Sequence, residues 1–481
     1  MPRFILLLLF LSEVLSCAYS QEPDSLRKSI HQLESEYYGK QKLATTEILL
    51  KDITLPAPFE SGATKSIIKK VLGWHPYWAS SSSPDLYDFK ALTHIAYFSY
   101  EVDTATGSYS TIHDWNSTPL ISTSHLNGTK VLLTVTNFGT SRNTRILSDT
   151  TRQNTLISTL ITLLKTRNGD GINFDFESVG SSQRANLVKF MTKAANSIKK
   201  ELPLAEISMA APAVDWNGSW DVKALSNVCD YLVIMGYDYY YSGSSTAGPV
   251  APLEAENYNI TRSINTYLSA GVPPEKLMLG VPWYGYDWSV TSNLRKASST
   301  GSATARIYTS AKTIARTYGY TFDQLTKVPW VSYYSTTTWR QLWYDDSVSL
   351  ALKYTLVNSK NMAGIGIWAL SYDGGSGEIW RTIKRVFSPP DTVLKNMELN
   401  VYPNPVHGIS RITFYLADKA NVSLRIIDVT GKVCGILQSG DLDSGRYSFD
   451  INSASFGQGI YMCVLKVNKS VSTKKIIIIR E

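Results

Sequence analysis

The sequence predicts an α/β fold, a (β/α)8 TIM barrel with a small α+β insertion, followed by a C-terminal all-β sandwich. Three observations predict it. Between residues 67 and 388, eight strand-like runs alternate with helix-like runs. One of them, Asp170 to Glu177 (Asp-Gly-Ile-Asn-Phe-Asp-Phe-Glu), has a bulky apolar face and an acidic face. From residue 400 onward the helical periodicity stops, and short strands separated by glycines take over.

The chain opens on a segment with the features of a secretory signal peptide, residues 1–20. Arg3 supplies the charge, Phe4 to Leu11 an apolar run, and Ala18-Tyr19-Ser20 a small-x-small cleavage site before Gln21. The apolar run is too short to span a bilayer. Lipoprotein processing at Cys17 is the minor alternative. Residues 21–66 read as a leader and linker, polar and helix-prone through Leu26, Ile30, Leu33 and Tyr37, then punctuated by Pro56, Pro58 and Gly62.

The barrel is expected over residues 67–388. Its strands are read at Lys70–Trp78, His94–Val102, Lys130–Phe138, the acidic octet, Glu206–Ala213, Tyr231–Tyr237, Lys276–Tyr284 and Gly364–Leu370. The gap between the seventh and eighth strands is too long for one helix, so an α+β insertion is placed at about 287–341. Asp345 and Asp346 precede a helical run and read as its N-cap. Ser388-Pro389-Pro390 opens a linker to residue 399, and the sandwich takes residues 400–481.

Composition excludes several classes. The 481 residues carry a net charge of +7 spread along the chain, without the basic stripe that nucleic acid requires. The six histidines lack metal-ligand spacing, and no phosphate loop or nucleophile elbow is present, so neither a metal nor a cofactor is expected. After removal of Cys17 three cysteines remain, too few for a disulfide scaffold; pairing of Cys434 with Cys463 is left open. The 29 tyrosines and 12 tryptophans suit stacking on sugar rings and β-rich packing equally.

In the octet, Ile172, Phe174 and Phe176 fall on one side of a strand and Asn173, Asp175 and Glu177 on the other, alternate residues lying roughly 6–7 Å apart. Helix-like runs before and after make it a βα unit of a parallel sheet, whose strands are normally covered. Inward carboxylates at the end of a barrel strand then point to chemistry.

The octet resembles the signature of glycoside hydrolase family 18, the chitinase family, usually written DGxDxDxE, with Asn173 standing where the family more often has Asp. Met235-Gly236-Tyr237-Asp238 resembles the family's MxYD on strand six, and Trp368 its strand-eight tryptophan. The resemblance implies Glu177 as proton donor, Asp175 as the group that orients the substrate's acetamido group, and Tyr237 as a donor to its oxygen. It implies substrate contacts from Asp238, Asn173, Met235 and Trp368. Tyr97 and Trp283 are further contact candidates, with Trp74, Trp78, Trp216 and Tyr284 as weaker stacking ones. Asn173 cannot take a proton, but it can still hydrogen-bond Asp175. Strand three ends Thr136-Asn137-Phe138-Gly139 in place of the usual SxGG.

The C-terminal stretch, with Val401-Tyr402-Pro403-Asn404-Pro405, Asp428 to Lys432 and a closing Lys-Lys-Ile-Ile run, resembles the type IX secretion sorting domain. The expectation is therefore a monomeric enzyme, secreted or held at the cell surface after export through the outer membrane by that machinery. It would act on polysaccharides or oligosaccharides containing β-1,4-linked N-acetylglucosamine. Gly248 to Leu253 and Trp343 to Asp346 look like the spore-cortex and chitobiase-like branch, which makes peptidoglycan the alternative substrate. A non-catalytic chitin-binding lectin of the same fold is the other alternative, and retention of Glu177 speaks for an enzyme.

Overall fold

The computed structural model describes residues 27–40, 67–388, 399–416, 419–468 and 470–479. The expected signal peptide, most of the leader and linker, and residues 389–398 lie outside the described residues. The chain divides into two compact units near residue 387.

The first unit is a closed parallel barrel of eight strands, β1 (Lys70–Pro76), β2 (His94–Val102), β3 (Lys130–Phe138), β4 (Gly171–Glu177), β5 (Glu206–Pro212), β6 (Tyr231–Met235), β7 (Leu277–Pro282) and β8 (Gly364–Trp368). Each pairs in parallel with its sequence neighbour, and β8 returns to pair with β1. Helices cover the outside. Phe174 and Phe176, on the outward side of β4, pack against Phe190 of the helix Arg184–Glu201. This fixes the opposite side of the strand inward, because successive side chains alternate.

Two parts of the octet are structural. Gly171 sits at φ +153° where β4 enters the sheet, and a Cβ there would lie 2.0 Å from the Glu206 carbonyl oxygen. Asp170 accepts hydrogen bonds from the Val131 amide and from His125 Nε2, tying the strand entry to β3 and its preceding helix.

The insertion is wider than the sequence suggests. Strand seven ends at Pro282, and Tyr284–Val290 leaves the barrel to join an antiparallel sheet with residues 304–307, 338–344, 328–335 and 321–323. A helix, Tyr308–Tyr318, packs on it. Its centre is the buried Asp287, which accepts from Arg306, Arg340 and the Tyr333 hydroxyl. Tyr284 therefore begins the excursion while its side chain still faces the barrel mouth.

Asp346 caps the helix Ser347–Ser359 in a capping box with Ser349. Asp345 does something else: it pairs with Lys353 and both side chains are fully buried. Lys353→Met removes one half of that pair and leaves a buried charge uncompensated, an expected loss of about 3–5 kcal/mol in urea unfolding. Adding Asp345→Leu to the same chain is expected to recover most of it.

The second unit comprises a three-stranded sheet (residues 400–402, 409–416 and 445–452) and a four-stranded one (433–442, 420–428, 459–467 and 470–478). Ile412, Phe414, Val422, Leu424, Leu465 and Ile476 share its core. Cys434 is exposed and Cys463 buried, and both are free thiols, so the pairing left open by the sequence is not formed. Among the described residues no helix is long and apolar enough to cross a membrane.

Candidate active site

The site lies at the C-terminal ends of the barrel strands and is built mainly from β4, β6 and β8. Asp175 and Glu177 project inward from β4 and are buried. The end of β3 holds this strand: the Gly139 amide and Asn143 Nδ2 both donate to the Glu177 carbonyl, and Asn143 in turn accepts from Asn137. Tyr237 and Asp238 follow β6, with Asp238 at φ +57°, a conformation that a short Asp side chain tolerates better than most. Tyr284 donates to Asp238 Oδ1. Trp368 closes β8, its ring edge-on to Phe98 of β2 at 4.9 Å between centroids.

A segment that the sequence did not connect to this site occupies it. The helix Ile30–Lys40 and the residues just before it lie across the barrel mouth. The His31 ring stacks on Trp368 at 3.7 Å between centroids, with 29° between planes. Its Nδ1 is 2.8 Å from Asp175 Oδ2 and its Nε2 2.8 Å from the Tyr237 hydroxyl. The tautomer protonated on Nδ1 satisfies all three groups, donating to the carboxylate and accepting from the phenol. The Ile30 amide donates to Asp238 Oδ2, and Glu34 Oε2 accepts from Trp368 Nε1 and from the Tyr372 hydroxyl.

Burial dominates the electrostatics. It pushes Glu177 up to about 8, helped by the charge of Asp175, and Asp175 likewise up to about 8. Two adjacent carboxyls in a closed site resist double ionisation, so the pair retains a proton at neutral pH. Burial moves His31 the other way, down to about 4, and raises the Tyr237 phenol well above its ordinary value. The imidazole is therefore neutral. One donor atom each from His31, Asp175 and Glu177 lies within 4.8 Å of the others, a spacing that a small cation could bridge. The hydrogen bond from His31 Nδ1 accounts for the approach of its ring to Asp175.

The structure brings together Asp175, Glu177, Tyr237, Asp238 and Trp368, and sets Met235 in the lining of the cleft. Asn173 is fully buried beneath them. It accepts from Trp74 Nε1 and donates to Ser208 Oγ, so its amide is committed to the barrel interior and not to the substrate contact the resemblance implied. Tyr97 and Trp283 are not brought to the site. Strand alternation turns Phe98 inward and Tyr97 outward, where it stacks on His75 and its hydroxyl accepts from the Asp114 amide. Trp283 follows the end of β7 and packs edge-on to Trp380 of the covering helix Gly377–Phe387. Of the other aromatics, Trp74 and Trp78 flank Trp368, Trp216 lines the cleft against Tyr258, and Tyr284 holds Asp238.

His31, Glu34 and Phe98 escaped the sequence reading. The signal for the first two was a spacing of three, which puts an imidazole and a carboxyl on one helix face. Tyr37, placed among the helix's apolar positions, is instead 59% exposed.

An inward pair of acids, a phenol and an indole floor thus stand at the top of a parallel barrel, and the chain belongs to the glycosyl hydrolases family 18, whose pattern residues 70–373 match. Residues 400–479 match the secretion system C-terminal sorting domain, which indicates export by type IX secretion to the cell surface or beyond.

Among curated proteins, the chain is 28% identical over 258 residues to the putative sporulation-specific glycosylase YdhD of Bacillus subtilis, covering 50% of this chain and 57% of that protein. It is 25% identical over 292 residues to the cortical fragment-lytic enzyme of Bacillus anthracis (58% and 65%), and 26% over 262 residues to the human di-N-acetylchitobiase (47% and 67%). It thus spans about three fifths of the length of these relatives. Among solved structures, a family 18 chitinase from Cycas revoluta in complex with (GlcNAc)3 superposes with a TM-score of 0.60 at 21% identity, over 66% of this chain and 99% of that one. The spore cortex-lytic enzyme SleL of Bacillus cereus superposes with a TM-score of 0.57 at 22% identity, over 68% and 75%. At these identities the likeness to solved structures shows the fold.

Proposed function

We propose that this chain hydrolyses β-1,4-linked N-acetylglucosamine polymers, chitin or its oligosaccharides, by a retaining mechanism in which the substrate's own acetamido group is the nucleophile. The observation that carries this reading is the grouping of Glu177, Asp175 and the Tyr237 hydroxyl over Trp368. Glu177, held protonated by burial, donates to the glycosidic oxygen as the bond to the anomeric carbon breaks. The acetamido oxygen attacks the same carbon, and Asp175 accepts the N–H while charge spreads over the resulting oxazolinium ring. Tyr237 donates to the acetamido oxygen, and Glu177, now a carboxylate, deprotonates the water that opens the ring.

Asp175 lies close enough to Glu177 that separation alone would also allow it to attack the sugar directly. The acetamido route is favoured because Tyr237 and Asp175 already converge on one small polar group, here the imidazole of His31. Holding the attacking group in place removes most of the entropic cost of attack.

Tyr237→Phe removes a hydrogen bond that strengthens as charge develops. It is expected to lower kcat by about 10- to 100-fold with little change in KM. An equal loss confined to KM would move Tyr237 from the reaction to ground-state binding.

Peptidoglycan is the second reading, favoured by the cortex-lytic and sporulation-specific relatives. Both polymers present N-acetylglucosamine in β-1,4 linkage. Incubating the enzyme with chitin oligomers and with purified peptidoglycan, and identifying the reducing ends released, separates them.

A further inference from the structure

Residues 27–40 stand where a substrate would have to lie, and their contacts are those of a ligand. The His31 ring lies over the Trp368 floor and offers one donor to Asp175 and one acceptor to Tyr237. A pyranose carrying an acetamido group would present the same pattern. Tyr38 stacks on Trp78 at 4.8 Å with 12° between planes, as a neighbouring sugar would. The cleft left beside the segment holds about 100 Å³, less than the roughly 300–1,000 Å³ typical of ligand pockets.

We propose that residues 27–40 are an autoinhibitory plug, with His31 in the place of the reacting sugar's acetamido group. Displacement of this segment from the barrel mouth opens the site to substrate and activates the enzyme. This regulation rests on the sugar-site reading given above.

The seating is designed for neutral groups. Burial puts the Glu34 carboxyl at about 8 and His31 at about 4, so neither brings a charge into the site at neutral pH. A segment on the same chain is present at an effective concentration on the order of millimolar. Once cut, it is diluted to the enzyme's own concentration and substrate displaces it.

The test places a specific protease site within residues 41–66 of the full chain and cuts it after folding. Cut enzyme, freed of the peptide by gel filtration, is expected to turn over N-acetylglucosamine oligomers with kcat/KM about 100-fold or more above the uncut chain. Its circular dichroism should be unchanged. Uncut His31→Ala is expected to gain at least about tenfold over the uncut parent, because a weaker plug leaves more sites open. Cut His31→Ala should match the cut parent. Equal activity of cut and uncut chains overturns the proposal. So does a loss of activity or fold on cutting, which would make the segment part of the machinery or of the core.

If neither form acts on any oligomer, the substrate reading fails while the plug is still decided by binding. A synthetic peptide of residues 27–40 should bind the cut, leader-free barrel one to one in calorimetry, with Kd below about 1 mM. Absence of binding overturns the plug.

Discussion

Glu177→Gln is expected to lose turnover by about 10³-fold or more, within the range for loss of a general acid, while oligomer binding stays within a few-fold of the parent. The amide fills the same space and cannot supply the proton. Parent and variant are compared at the same chain length, so that any effect of residues 27–40 cancels. The proton also sets the pH profile. Turnover needs Glu177 protonated, and in the filled site burial and the Asp175 charge hold it at about 8. kcat should therefore fall about tenfold per pH unit above that value, while protonation of Asp175, whose carboxyl burial raises likewise, limits it from the acid side. In Glu177→Gln that alkaline limb should vanish along with most of the activity. A variant with near-normal turnover would remove Glu177 from the mechanism.

Removing the substrate's N-acetyl groups is expected to cost at least about 10³-fold in kcat/KM, because an internal nucleophile carries an effective molarity that water cannot match. Asp175→Asn should produce a comparable loss, since it weakens the partner of the acetamido N–H as positive charge develops. A thiazoline mimic of the oxazolinium ion should inhibit the parent tightly. Matched oligomers with and without N-acetyl groups, together with mass spectrometry of trapped enzyme, decide the point. Equal turnover of the deacetylated oligomer, or a sugar covalently attached to Asp175, would transfer the nucleophile's role from substrate to protein.

Much of this was legible because the motifs are local. The octet's alternation of apolar and polar residues determines which side of β4 faces inward, and Phe174 and Phe176 do pack outward against Phe190. Strand boundaries shifted most at β7, where Tyr284–Val290 turned out to belong to the insertion. An apolar run that continues through Pro282 and Trp283 gives no sign that the chain has changed sheets. Tyr97 and Trp283 misled for a related reason: an aromatic near a strand end reads the same on either face, and the face is fixed by register. Asn173 is chemically able to hydrogen-bond Asp175 along its own strand, a choice the sequence leaves open; Trp74 and Ser208, from β1 and β5, claim it first.

By itself the sequence determined the barrel, the sandwich after it, and the grouping of Asp175, Glu177, Tyr237 and Trp368, because each rests on periodicity or on a motif within a few residues. Only the tertiary structure decided that Asp345 is paired with Lys353, that Cys434 and Cys463 stay apart, and that His31 sits between Asp175 and Tyr237. His31 and Asp175 are 144 residues apart. No local pattern encodes such a contact: it forms because closing the barrel builds a pocket of the right shape and polarity for that one face of a short polar helix.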